Sequence, residues 1–280
     1  MIGLIDLGGT KLAAAVATDG RLGPVVRKPT PGTGPAAALV EALELAGAGD
    51  TLDLIAAAVP GPFDRAARVL ADPPGMPAAW RRVDLREALS DRFRCDVILE
   101  NDANCAALAE ALGGAGKDLR TVVYVTVSTG VGTGVVRDKR LVISRQDTEG
   151  GHQVLWPEWL GGPRCHCGGA GCLEALASGW AIEERYGVRG EALEDGDAWS
   201  EIGRWLGLGV ANTTALLDPE IVVFGGGVCR SWDRFAPALL ATLRSHVRLQ
   251  EVPPVRLGAL DERERTLLGA LALASAEVAA

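Results

Sequence analysis

Two stretches of this chain share one pattern: an apolar strand hands over to a glycine-rich turn and then to a second strand. The first is "IGLIDLGGTKLAAAVAT", near the start; the second is "TVVYVTV", then "STGVGTG", then the strand "VVRD". This echo constrains the fold most, because one such unit opens each half of the chain. Between and after the units, strands alternate with helices. "PAAALVEALELAG" is helical, with Pro35 near its first turn and Gly47 at its end. "LDLIAAAV" is a strand that stops at Pro60, Gly61 and Pro62. "VDLREALSDRF" is a short helix in which Asp84 and Glu87 have capping-box spacing. "CDVILE" is a strand that leads directly into the helix "ANCAALAEALG", and the long helix "AWSEIGRWLGLGVANTTALLD" precedes the strand "EIVVFGGGV". Such alternation predicts α/β layers.

A length of 280 residues allows one large or two medium domains. The expectation is two, sharing a cleft: a small α/β domain over 1–113, onto which a helix at 263–280 packs back, and a larger α/β domain over 114–262. With 28 basic and 36 acidic residues the formal net charge is -8, and no basic patch suggests a nucleic-acid partner. "MIGLIDLGGTK" meets Asp6 too early for a secretory signal. The most apolar tail, "LLGALALASA", has about half the length of a membrane-spanning helix. Cys95, Cys105 and Cys229 are scattered, which fits reduced thiols in the cytoplasm.

The other three cysteines are clustered. Cys165, Cys167 and Cys172 have the spacing C-x-C-x4-C, with Gly168, Gly169 and Gly171 between them. Glycines let a backbone wrap tightly around a small ion. With His152 upstream, three thiolates and an imidazole fill a tetrahedral zinc shell, and a full shell leaves no position for a reactive water. The predicted zinc is therefore structural. His166 is the rival histidine, with a tether too short to bind well beside its own neighbours. The plain alternative is a glycine-rich loop with three reduced thiols.

Asp6 and the turn of Gly8, Gly9, Thr10 and Lys11 follow a buried strand. The glycines let backbone approach a phosphate, Thr10 offers a hydroxyl and Lys11 a cation, and Asp6 can hold Mg²⁺ through water. An ordinary Gly-Gly hairpin is the alternative. Thr129 and Gly130 lie in the second turn, which is neither a Walker A loop nor a strand-to-helix dinucleotide fingerprint. Gly225, Gly226 and Gly227 close a third strand. Three glycine turns after three strands point to nucleotide binding. Asn101 and Asp102 lie where a strand meets a helix. Asp102 is either a helix cap or, beside phosphate turns, a base for phosphoryl transfer to a hydroxyl.

Together these segments resemble the ROK family of sugar kinases and related repressors, within the actin-like ATPase superfamily of two-domain α/β folds related to ribonuclease H. "DLGGTK" and "STGVGTG" look like its two phosphate motifs, "VPGPFD" like its V-P-G-P-x-D loop, and "ENDANCAALAE" like its E-N-D-A-N-x-A-A-x-A-E segment. "CHCGGAGCLE" fits the zinc signature C-x-C-G-x-x-G-C-x-E, and "DPEIVVFGGGV" the late nucleotide-side strand.

The resemblance implies an ATP- and Mg²⁺-dependent hexokinase, most similar to glucokinases, with fructo-, allo- or N-acetylhexosamine kinases or a non-catalytic sugar-binding regulator as alternatives. Asp102 would be the catalytic base. Asn101, Asp102, Glu149, His152 and Glu174 would bind the sugar, and His152 would also bind zinc. Gly8, Gly9, Thr10, Thr129 and Gly130 would surround phosphates, with Lys11 helping, and Gly225, Gly226 and Gly227 would face the adenosine. The family also implies a homodimer or homotetramer. Three departures stand out. "TEGGH" replaces G-E-x-G-H, so that Gly150 stands where a bulky apolar residue is usual, and the expectation is room for a larger substituent such as an acetamido group. The segment between Leu141 and Glu149 is short, and Gly75 stands where the family often has Asn. No winged-helix segment precedes Ile2, which points away from the repressor branch.

Overall fold

The computed structural model describes residues 1–64, 67, 69–73, 75–143 and 147–278. The chain divides into two compact units, Met1–Ala109 with Arg263–Ala280, and Glu110–Glu262.

In the first unit, β1 (Ile2–Leu7) turns back into β2 (Lys11–Thr18), with short β3 (Arg21–Leu22) and β4 (Val26–Pro29) beside β2. Helix α1 (Pro35–Leu45) leads to β5 (Leu54–Val59), and the small ribbon β6 (Phe63–Asp64) and β7 (Val69–Leu70) follows. Helix α2 (Leu85–Phe93), β8 (Asp96–Asn101) and α3 (Asp102–Gly113) come next. The sheet order is β3-β2-β1-β5-β8, with β4 paired to β2; β1 is antiparallel to β2 and parallel to β5, which is parallel to β8. All six residues of β5 are buried, as expected for a parallel strand covered on both faces. One face carries Leu39, Leu43, Trp80, Leu89 and Phe93. The other carries Cys105 and the terminal helix Arg265–Val278 through Leu267, Ala270, Leu271 and Ala274. Gly269 permits that approach, since a Cβ there would lie 1.8 Å from the Cys105 carbonyl oxygen.

The second unit repeats the plan. β9 (Thr121–Val127) turns back into β10 (Val131–Arg137), with β11 (Arg140–Leu141) at its edge. After α4 (Leu173–Ala177), α5 (Gly179–Tyr186) and α6 (Gly196–Leu217) come β12 (Ile221–Gly225), α7 (Trp232–His246) and β13 (Val255–Leu257). The order is β11-β10-β9-β12-β13, with β9 antiparallel to β10 and parallel to β12, itself parallel to β13. The echo seen in the sequence is thus a repeated topology of antiparallel pair followed by parallel strands. The second strand starts earlier than the expected "VVRD": pairing with β9 begins at Val131, so Gly132 and Gly134 are strand residues and the turn is only residues 128–130. Helices α6 and α7 pack closely because Gly203 and Gly207 present no side chain; a Cβ would fall 2.3 Å from the Phe235 carbonyl oxygen and 2.6 Å from that of Leu239. No described helix is long and apolar enough to cross a membrane.

Candidate active site and metal centre

In the first unit the glycine turn closes through the Gly8 amide, which donates to the Lys11 carbonyl at 2.8 Å. The chain just after β4 pins it: the Thr30 hydroxyl donates to the Gly8 carbonyl at 2.6 Å and the Thr30 amide to the Thr10 carbonyl at 3.1 Å. Gly9 has a packing reason of its own, because a Cβ would lie 2.5 Å from the Gly75 carbonyl oxygen. Gly75 adopts φ +77°, in the left-handed region that Gly enters without strain and that Asn and Asp enter more readily than other residues. Gly in place of Asn therefore keeps the local backbone accessible and removes a side chain. Lys11 opens β2 and is exposed.

Strand β8 runs into α3 without a loop. The Asn101 Oδ1 accepts from the amides of Ala103 at 2.8 Å and Asn104 at 3.3 Å, so Asn101, not Asp102, caps the helix. Asp102 is the first helical residue and accepts from the Ala103 amide at 2.8 Å. Behind them, buried Glu100 accepts from the Asn101 amide at 2.7 Å and the Asn104 side-chain amide at 2.9 Å, which fixes the junction. The structure brings Asp102 to Asp6. Burial pushes the Asp6 carboxyl up to about 7, repulsion by Asp102 adds to the rise, and Arg27 opposes it. The two carboxylates are thus close enough to repel each other, and Asp6 is part-protonated near neutral pH.

In the second unit, Thr129 and Gly130 form the turn between β9 and β10, with the Ser128 amide donating to the Gly130 carbonyl at 2.9 Å. The start of α5, which sequence reading passed over, holds this turn: the amides of Gly179 and Trp180 donate to the carbonyls of Ser128 at 2.7 Å and Thr129 at 3.2 Å. The signal for it was Ser178, whose hydroxyl caps α5. Gly225 pairs with Thr126, and Gly226, at φ +92°, would place a Cβ 2.5 Å from the Val127 carbonyl oxygen. Gly225, Gly226 and Gly227 therefore lie alongside the strand end that carries the second turn.

His152, Cys165, Cys167 and Cys172 converge, with their ligand atoms all within 4.8 Å of one another. The Cys165 Sγ and His152 Nδ1 are 3.7 Å apart, as are the Sγ atoms of Cys167 and Cys172. Zinc–sulfur bonds of about 2.3 Å set two sulfurs of a tetrahedron about 3.8 Å apart, so the donor set fits zinc in type and spacing. Burial pushes the Cys165 thiol up to about 12, and a bound cation is what would draw off such a proton. The loop is shaped by Gly168 at φ +90° and Gly171 at φ +70°. His166 is not among the donors; it stacks on Trp180 with ring centroids 3.9 Å apart.

Glu174 joins this cysteine–histidine cluster to the second glycine turn. Its Oε2 accepts from the Val131 amide at 3.0 Å, and its Oε1 from the Trp180 indole at 3.4 Å, with the Cys165 Sγ at 3.9 Å. Glu149 keeps an exposed edge, and its carboxyl is pushed above the usual carboxylate range by partial burial; His152 opposes the rise, while Asp147 and Glu174 add to it. The room expected at Gly150 does not exist: a Cβ there would meet the Thr133 Cγ2 at 2.7 Å, so Thr133 already fills the space. The short segment before Glu149 lies partly outside the described residues.

Two sheets of one topology, each opened by a glycine turn, define a two-domain α/β protein of the actin-like ATPase class. Residues 2–277 match the ROK family, and the chain belongs to that family. It is similar to the ROK hexokinase of Thermus thermophilus, at 38% identity, a TM-score of 0.86 and 99% of each chain covered. A ROK glucokinase from Streptomyces griseus, solved in complex with glucose and AMPPNP, is 28% identical with a TM-score of 0.81, over 96% of this chain and 97% of that one. The glucokinase of Streptomyces coelicolor is 31% identical over 266 residues, covering 82% of each chain. These similarities support a sugar kinase.

Proposed function

We propose that this protein transfers the γ-phosphoryl group of ATP to a hexose hydroxyl, with glucose as its best substrate and glucose 6-phosphate as product. The observation that carries this reading is the placement of Asp102 beside Asp6 at the first glycine turn. A sugar hydroxyl is a weak acid, so its proton must leave as the phosphoryl group arrives. Asp102 is the acceptor of that proton. The transition state is loose, so Asp102 mainly orients the hydroxyl and takes the proton late. Asn101, whose Oδ1 is used by the helix, donates to the sugar through its side-chain amide nitrogen. Glu149, His152 and Glu174 contact the remaining hydroxyls; Glu174 still has lone pairs beyond those its protein donors use.

Gly8, Gly9, Thr10, Lys11, Thr129 and Gly130 contact the phosphates, and Gly225, Gly226 and Gly227 the adenosine side. Mg²⁺ bound with ATP neutralises charge on the phosphates, and Asp6 would hold it through water. Zinc at His152, Cys165, Cys167 and Cys172 would fix the loop between His152 and Glu174. Thiolates that hold zinc must stay reduced, which supports a cytoplasmic setting. Acceptors fixed in this way favour a sugar with several equatorial hydroxyls, because an analogue lacking one leaves buried groups unpaired.

The test is ADP release from ATP with glucose, mannose, fructose, allose, N-acetylglucosamine and N-acetylmannosamine. Glucose should have the highest kcat/KM, and the 2-acetamido sugars should be poorer. A clear preference for another member would overturn the glucose assignment. Tight sugar binding without turnover would overturn the kinase assignment in favour of a regulator.

A further inference from the structure

We propose that Thr133 is a positioning residue for Glu149, clamping the backbone on both sides of it; the inference rests on the reading of Glu149 as a sugar-binding acceptor. Thr133 lies on β10 and is 8% exposed. Its Oγ1 donates to the Thr148 carbonyl at 2.7 Å and accepts from the Gly150 amide at 2.9 Å. The Thr148 hydroxyl returns the contact, donating to the Thr133 carbonyl at 3.2 Å. One hydroxyl therefore holds the residue before Glu149 and the residue after it.

The methyl group has a separate task. Its Cγ2 lies 2.7 Å from where a Gly150 Cβ would be, so it fills the volume that a side chain at 150 would otherwise occupy. The backbone of Glu149, at φ -99° and ψ 54°, belongs to no regular element, and no side chain caps the turn Gly150–His152 that follows it. Within the turn the His152 amide donates to the Glu149 carbonyl at 2.9 Å; among the described residues, Thr133 is the side chain that bonds the backbone on both flanks of Glu149. The anchor sits in the ladder between β10 and β9, where Thr133 pairs with Val125. The same clamp sets the start of the turn that ends in His152, so the sugar-side acceptor and the metal ligand are registered to one strand.

Thr133→Val keeps the shape and removes the hydroxyl, whereas Thr133→Ser keeps the hydroxyl. The Gly150 amide is the direct reporter: its hydrogen exchange should speed up at least tenfold in the valine variant and stay near the parent rate in the serine variant. Calorimetric glucose binding should weaken about tenfold in the valine variant, the cost of leaving two part-buried partners unpaired. AMPPNP binding should stay within twofold, and the serine variant should recover most of the glucose affinity. Unchanged Gly150 exchange in the valine variant would overturn the clamp, as would glucose and AMPPNP binding weakened equally. If the parent protein bound none of the six sugars, the sugar reading would fall, and Gly150 exchange would still decide whether Thr133 holds this segment.

Discussion

Replacing Asp102 with Asn separates the two roles that its position allows. The variant keeps size and hydrogen bonds but cannot accept a proton. General acid–base catalysis contributes on the order of 10² to 10⁴ in rate, so kcat should fall at least a hundredfold with glucose affinity little changed. Stability supplies a second, independent signature. The Asp6 carboxyl sits at about 7 in the folded protein. An unfolded Asp titrates near ~3.9, so between about pH 4 and 7 the native chain keeps a proton that the unfolded chain loses, and stability falls as pH rises through that window. A shift of about three units has a ceiling of about 4 kcal/mol. Burial is the largest cause, Asp102 the second, and Arg27 opposes both, so relief of the repulsion is on the order of 1–2 kcal/mol above pH 7. Against this, Asp102→Asn loses a negative charge in the first turn of α3, worth about 0.3–1 kcal/mol at any pH where Asp102 is ionised. At pH 5, where Asp6 is protonated, only the loss operates and the variant should be the less stable. At pH 8 the relief should dominate and the variant should be the more stable. Urea unfolding of both proteins at pH 5 and pH 8, without nucleotide or added Mg²⁺, measures the difference. A difference that keeps its sign and size across that range would refute the carboxylate pair, and turnover within a few-fold of the parent would reduce Asp102 to a structural acid.

Elemental analysis of protein purified without added zinc should give about one zinc per chain, and Cys172→Ser should lose it together with sugar binding while far-ultraviolet circular dichroism stays close to the parent; active protein without metal would defeat the zinc assignment. Gly9→Ala would place a Cβ 2.5 Å from the Gly75 carbonyl oxygen, a backbone atom. Overpacking of that kind costs about 1–3 kcal/mol, a fall in Tm of about 2–5 °C for a chain of 280 residues, whereas Gly32→Ala, with nothing within 4 Å of its Cβ, should shift Tm by less than about 1 °C. Equal Tm values for the two variants would remove the contact between residues 9 and 75.

The chain alone determined those features whose physics is local. Apolar runs bounded by glycine turns fixed where β1, β5, β9 and β12 lie, and Asp84 announced the start of α2, where its side chain accepts from the Glu87 amide at 3.0 Å. The convergence of Cys165, Cys167 and Cys172 was legible because three cysteines within eight residues can reach one point with little help from the rest of the fold. Contacts between residues far apart in the chain were not legible. Whether Asn101 or Asp102 caps α3 depends on where the sheet ends: Asn101 pairs with Val59, which keeps it extended as a capping residue must be, and pushes Asp102 into the helix beside Asp6. Gly150 looked like spare room until β10 brought Thr133 against it, seventeen residues back along the chain. Gly9 looked like a residue kept small for a phosphate, yet the carbonyl of Gly75 already occupies its missing side-chain volume. In each case the deciding atom belongs to a distant segment, and its position follows from sheet pairing and packing, which no local spacing encodes.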